Sequence, residues 1–289
     1  MDRITESLLQ EFSAENILEK LPEERRFEHF ASYVTVRRHF SQTFDTFDIV
    51  TGGGADTGID AIAIIVNGSL VTDVDSFEEV AQGAENLDVT FIFVQAERSS
   101  SFEASKIGTF HFGVQDFFKV HPSMPRNEQV ANAATIMSSI YDRSSKFKRG
   151  NPACRMFYVT TGKWLGDPVL ESRRQAAIVD LQSTGQFDEV DFGCMGADAI
   201  QKLYNQAKNA IAREFTFANR VDIPEMPGVT EAYLGFLPFP SSSLWYVTRA
   251  EILSAPYFMT TCGISKIIMM SIQRSKRRSR PSTSLGLFS

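Results

Sequence analysis

Two apolar runs, each closed by an acid at one end, constrain this chain more than any other feature. In the first, Gly52-Gly53-Gly54-Ala55-Asp56-Thr57-Gly58-Ile59-Asp60 runs into AIAIIV; in the second, Phe91-Ile92-Phe93-Val94-Gln95-Ala96-Glu97 ends on a carboxylate. Side chains alternate along a strand, so Gln95 and Glu97 share one face while Val94 and Ala96 take the other. If the two strands lie side by side, Asp60 meets Gln95 and Glu97 across the sheet. Acids gathered at one end of a sheet are how a hydrolase holds a divalent cation, so Mg²⁺ or Mn²⁺ is the expected cofactor.

The remaining elements follow from periodicity. Residues 22–40 read as a helix with Phe27, Phe30, Ala31 and Val34 on one face. Strands are expected at 44–50, 59–66 and 89–97, with a tight Asn67-Gly68 hairpin turn closing the second. Residues 69–88 read as a polar connection with a short helix. Helices are predicted at 103–118 and 130–141, and Met156–Thr161 reads as a strand covered on both faces. A helix at 168–182, a strand at 187–193 and a helix at 197–212 complete an α/β domain, a mixed sheet flanked by helices. The predicted organisation is one domain over 1–212, the start of a further region over 213–240, and a compositionally distinct tail over 241–289. No internal repeat is visible.

Composition excludes several classes. No run is long and apolar enough to span a bilayer, and MDRITESLLQEF is not a signal-peptide pattern, so no membrane partner is expected. Cys154, Cys194 and Cys262 offer neither a disulfide framework nor a zinc spacing, which fits a reducing, cytoplasmic setting. The net charge of −6 conceals an asymmetry: residues 241–289 hold seven Lys/Arg and one acid. The acidic remainder does not attract nucleic acid by its overall field, so such binding requires a local basic surface or metal ions.

The glycine-rich segment joins two predicted strands and is not followed by Gly-Lys-Ser/Thr, so it reads as a tight turn rather than a phosphate cradle. The candidate metal ligands are Asp60, Glu97 and Glu28, the last on the first helix and able to lean over the sheet end. Gln95 can orient water or fill a coordination position without adding charge. His29, His39, His111 and His121 show no metal spacing. Trp164 follows a central strand, where it either flanks a substrate cleft or packs.

Taken in order, FEHFASY, GADTGIDAIAIIVNG, VTFIFVQAERSSSF and FHFGVQDFF resemble the N-terminal part of the AIPR family, named for abortive-infection phage resistance. More distantly, Glu28, Gly58-Ile59-Asp60, Gln95-Ala96-Glu97 and FYVTTG resemble the catalytic pattern of Mrr-type nucleases of the PD-(D/E)xK superfamily. The resemblance implies a restriction-endonuclease-like fold with extra α/β elements and a catalytic set of Glu28, Asp60, Gln95 and residue 97. It also implies a departure, because the family's QAK is here Gln95-Ala96-Glu97. The family lysine positions the attacking water and stabilises developing negative charge, and glutamate inverts that charge. Arg98 points to the opposite face; Lys106, on the following helix, is the nearby lysine that can take the place.

The same resemblance bears on the tail. A motif close to YDNVRDFQ is expected after Tyr233-Leu234-Gly235-Phe236-Leu237-Pro238 and is absent. The codons permitted for Phe258 to Ile272, read two bases later, can spell YDNVRDFQDYNDVN, and the junctions after Met259 and Met269 force its aspartates. Residues from about 241 therefore read as out-of-frame translation, and the basic QRSKRRSRP as a product without a selected role.

The expected function is a phage-defence protein with a magnesium-dependent nuclease domain, acting on DNA or RNA, its lysine position replaced by Glu97. The partners it admits are nucleic acid, a second copy of the chain and a defence-system protein. Two alternatives stay open: a non-catalytic nuclease-fold module that binds nucleic acid or a protein, and a non-functional truncated fragment.

Overall fold

The computed structural model describes residues 1–52, 54 and 57–208, together with the backbone of three strands within 218–272. The chain divides into two compact units, Met1–Phe40 with Phe44–Asn205, and Ser41–Thr43 with Gln206–Ser289.

The first unit is a five-stranded mixed sheet between two layers of helices. In chain order its elements are α1 (Arg3–Glu15), α2 (Glu23–Val36), β1 (Ala61–Val66), β2 (Ser69–Val71), α3 (Val74–Ala81) and β3 (Val89–Glu97). They continue with α4 (Ala104–Phe117), α5 (Glu128–Tyr141), β4 (Ala153–Thr160), α6 (Pro168–Gln182), β5 (Glu189–Met195) and α7 (Ala197–Lys208). The strand order is β2-β1-β3-β4-β5. β1 runs antiparallel to β2 and β3, while β3, β4 and β5 are mutually parallel. No helix among the described residues is long and apolar enough to cross a membrane.

Alternation along the strands builds two cores. Ile62 and Ile64 of β1, Phe91 and Phe93 of β3 and Tyr158 of β4 pack with Phe110 of α4, Ile136 of α5 and Ile178 of α6. Ala61, Ala63, Ile92, Val94 and Val159 face the other way, onto Phe12 of α1, Phe27 and Phe30 of α2 and Tyr204 of α7. Strands covered on both faces read as continuous apolar runs, as AIAIIV and MFYVT do. Phe12, Phe30 and Tyr204 form an aromatic knot, with ring centroids 5.3 Å apart for Phe12–Phe30 and 5.0 Å for Phe30–Tyr204.

Two local features differ from expectation. Residues 44–50 do not form a strand. Thr46–Asp48 is a turn of 3₁₀ helix, and only Val50 bridges to Ala61. The reason is local: the Asp45 side chain accepts from the Phe47 amide at 3.0 Å, offering that backbone a partner outside the sheet. The second is α1, which the periodic pattern did not announce; its N-cap Asp2 accepts from the amides of Ile4 and Thr5. The Asn67-Gly68 turn holds, with φ of 51° and 80°, the two left-handed positions that a tight hairpin between β1 and β2 requires.

The second unit contains a three-stranded antiparallel sheet of β6 (Ala218–Ile223), β7 (Glu231–Phe236) and β8 (Ile268–Ile272), in that order. The expected boundary at 212, most of the 241–289 tail, Cys262 and the QRSKRRSRP run lie outside the described residues. Within the tail only β8 is described, paired along β7 with Ile272 opposite Glu231.

Candidate functional site

Asp60 enters the sheet pinned from both sides. Its amide donates to Val94 O at 2.8 Å, and its carbonyl accepts from the Thr51 amide at 2.9 Å. Its carboxylate Oδ2 accepts the Ala96 amide at 2.7 Å, which ties it to the end of β3. The turn before it is unusually constrained. Thr57 sits at φ 59°, a left-handed conformation that a β-branched residue adopts only under compulsion. Part of that compulsion comes from α4: a Cβ on Gly113 would lie 2.1 Å from Thr57 O, so only glycine lets the helix come this close. Asn127, the N-cap of α5, completes the restraint by donating to the carbonyls of Thr51, Gly52 and Gly54 at 3.2, 2.8 and 3.2 Å.

Glu97 ends β3 with its side chain one-fifth exposed. Its Oε1 lies 2.5 Å from Lys106 Nζ, one turn into α4, and its Oε2 accepts the Tyr158 hydroxyl at 3.1 Å. The hydrogen bond to Glu97 and that residue's charge push the Lys106 pKa above its ordinary value, with Glu103 and Asp60 adding to the effect. Lys106 therefore stays an ammonium and is suited to stabilising negative charge rather than to taking protons. Burial, reinforced by the Glu97 charge, raises the Tyr158 pKa, so the phenol stays a neutral donor. Gln95 stands opposite Tyr158 in the parallel register and is only 6% exposed. Its Oε1 has no hydrogen-bond partner among the described residues, an acceptor buried at a cost that a ligand would relieve.

Glu28 belongs to the opposite helical layer, on α2, where it is hydrogen-bonded to Arg25. Arg98 also faces that layer and pairs with Glu23 at 2.7 Å. Among the described residues no three His, Cys, Asp or Glu side chains gather as a metal-holding group. The structure thus brings Lys106 to Glu97, with Asp60 acting on the same ammonium only as a weaker neighbouring charge, while giving Glu28 a partner of its own. Tyr158 is the participant that sequence reasoning missed. Its one signal was a polar tip within an otherwise apolar strand, in register with Gln95.

The other singled-out residues do not join this cluster. His29 is buried with Nδ1 2.7 Å from Thr46 Oγ1, and burial, then the neighbouring Arg25, lowers its pKa to about 4. Cys154 and Cys194 are free thiols, and burial pushes Cys194 up to about 12, far from a reactive thiolate. Trp164 packs edge-on against Phe102, with centroids 4.9 Å apart. No family model matches the chain, and no curated protein or solved structure is detectably similar to it.

Proposed function

We propose that the first unit is a restriction-endonuclease-like, metal-dependent phosphodiesterase of the PD-(D/E)xK type, whose ammonium comes from Lys106 instead of residue 97. The observation that carries this reading is the 2.5 Å contact of Lys106 Nζ with Glu97 Oε1, in the field of Asp60. It supplies, from a neighbouring helix, the cation that the Gln95-Ala96-Glu97 sequence lacks. The role in phage defence rests on the resemblance of the four N-terminal segments to the AIPR family, and so does the reading of residues 241–289 as out of frame. Sequencing the encoding DNA through codons 236–260 tests the latter.

The donors present suit a magnesium-type cation in kind: the Asp60 and Glu97 carboxylates and the buried, unpartnered amide oxygen of Gln95. Mg²⁺ is commonly held by one or two carboxylates with water and substrate phosphate completing its shell. When bound, such a cation activates water and neutralises charge on the phosphate. Hydrolysis forms a P–O bond from water and breaks the P–O bond to the leaving alkoxide, which takes up a proton. Lys106 stabilises the negative charge that builds on the phosphoryl oxygens, and Tyr158 and Lys106 together orient Glu97.

A second reading, a non-catalytic module that binds nucleic acid or a protein, is favoured by one observation. Both Glu97 oxygens already have partners, in Lys106 and Tyr158. Plasmid DNA and RNA cleavage with Mg²⁺ or Mn²⁺ separates the two, using the parent protein, Asp60→Asn and Lys106→Met. Metal-dependent cleavage lost in both variants is the expected result. Absence of both metal binding and cleavage in the folded parent overturns the enzyme reading in favour of the module.

A further inference from the structure

Beyond the acid–lysine pair, the carboxyl ends of β3, β4 and β5 carry a feature the phosphodiester chemistry does not use. Three connecting segments are locked together backbone against backbone. The Thr161 amide donates to Ser99 O at 3.0 Å and the Ala197 amide to Gly162 O at 2.8 Å. A Cβ on Gly162 would stand 2.2 Å from Ser100 O, and one on Gly196 would stand 2.4 Å from Gly162 O and 3.1 Å from Trp164 N. Only glycine permits such an approach, and the Thr161 hydroxyl adds to it by donating to Ser99 O at 2.9 Å, so the segment presenting Trp164 is held by main-chain contacts as well as by side chains.

Trp164 is half-buried, between exposed Lys163 and Leu165. Phe102 meets its indole at 77° with centroids 4.9 Å apart, and meets Tyr158 at 88° with centroids 5.5 Å apart. Tyr158 in turn donates to Glu97. A continuous aromatic path therefore runs from the Glu97 carboxylate to the indole. It lies at the carboxyl ends of parallel strands, where open α/β sheets receive ligands.

We propose that Trp164 is a stacking platform for a base of the substrate, so that the site accepts single-stranded nucleic acid in preference to duplex. This rests on the nucleic-acid reading of the same site. A partly exposed indole on a rigid backbone offers a π-face to any base, and Lys163 beside it offers a charge to the adjoining phosphate. Bases within a duplex have both faces covered by their neighbours and cannot use such a surface without being unstacked.

The test uses the full chain carrying Trp245→Phe, which leaves Trp164 as its only tryptophan. It is titrated in EDTA with a single-stranded DNA oligonucleotide, the same sequence as RNA, and a blunt hairpin duplex. Saturable quenching of Trp164 emission by the single strands is expected, with binding to the duplex at least about tenfold weaker. Trp164→Leu should weaken single-strand binding about tenfold, and Trp164→Phe by much less. Binding without quenching, or equal affinity for duplex and single strand, overturns the inference even if the protein cleaves with Mg²⁺. Quenching without any metal-dependent cleavage leaves the inference standing and removes the phosphodiesterase. If neither strand binds, the inference falls, and cleavage with Mg²⁺ decides the phosphodiesterase separately.

Discussion

Helix α4 contains two glycines whose replacement by alanine should have opposite effects. Gly108 has nothing within 4 Å of an added Cβ, whereas at Gly113 the same atom meets Thr57 O at 2.1 Å and Thr57 Oγ1 at 3.3 Å. Alanine in a helix interior is favoured over glycine by about 1 kcal/mol, so Gly108→Ala should stabilise by roughly that much. Gly113→Ala has the same propensity gain but must push a backbone carbonyl back by more than an ångström. Overpacking of this kind costs about 1–3 kcal/mol, and occasionally more. The upper part of that range applies, because the carbonyl belongs to a turn clamped by Asn127 and already strained at Thr57. A net loss of about 1–2 kcal/mol follows, or roughly 2–8 °C in Tm for a unit of this size, against a rise of about 2–4 °C for Gly108→Ala. Thermal and urea unfolding of the parent and both variants measure this directly. If Gly113→Ala raises Tm as Gly108→Ala does, the close approach of α4 to the turn is wrong, and with it the argument for what positions Asp60.

Other outcomes follow from the same geometry. Glu97→Lys sets two ammoniums against each other and should lower stability by up to about 1 kcal/mol, while the double exchange Glu97→Lys with Lys106→Glu should recover most of it. A double-mutant cycle that shows no coupling removes the ion pair from the argument. Because the folded-state pKa of His29 is depressed from 6.5 to about 4, the unfolded chain binds its proton first. Stability should therefore fall as pH drops from 6.5 toward 4, by on the order of 3 kcal/mol at the limit, and His29→Gln should flatten that slope. Burial of Asp116 opposes its ionisation, but the amides of Ser123 and Met124 and the Lys119 ammonium outweigh it and hold its pKa below the usual carboxylate range. Its contribution is thus present above pH 4 and lost as pH falls through the lowered value. Asp116→Asn should cost about 1–3 kcal/mol at pH 7 and progressively less as pH falls below 4, and a loss independent of pH would contradict this.

Most of the architecture could be read from residue order, because the helices and both-faces-buried strands carry strong periodic signals. The segment at 44–50 misled because its hydrophobic residues looked strand-like. Phe44 and Phe47, however, stand three apart rather than two, and Asp45 was a local cap waiting for the Phe47 amide. The neighbourhood of Asp60 and Glu97 was legible from strand alternation. What converges on it was less so, since it depends on how helices pack. Lys106 reaches Glu97 because glycine at 113 brings α4 against the turn, and no pattern within the helix states that distance. Glu28 lies on the expected helix, and its pairing with Arg25 one turn earlier was equally invisible in the pattern.

The mixed character of the sheet has a consequence for the order in which the molecule comes together. β1 and β2 are joined by two residues, whereas β3 finds β4 only after α4 and α5 have been bridged, with Thr90 opposite Ala153. Closing a short hairpin takes microseconds, while pairing distant parallel strands is slow because loop entropy must be lost before any contact repays it. The tie between Asp60 and Ala96 spans 36 residues, against 61 for the Tyr158–Glu97 contact. The Tyr158 hydroxyl reaches Glu97 only when the late, parallel half has closed. A chain arrested before β4 docks on β3 would have its N-terminal strands and still lack the arrangement at Glu97, which makes that carboxylate a reporter of the β3–β4 pairing.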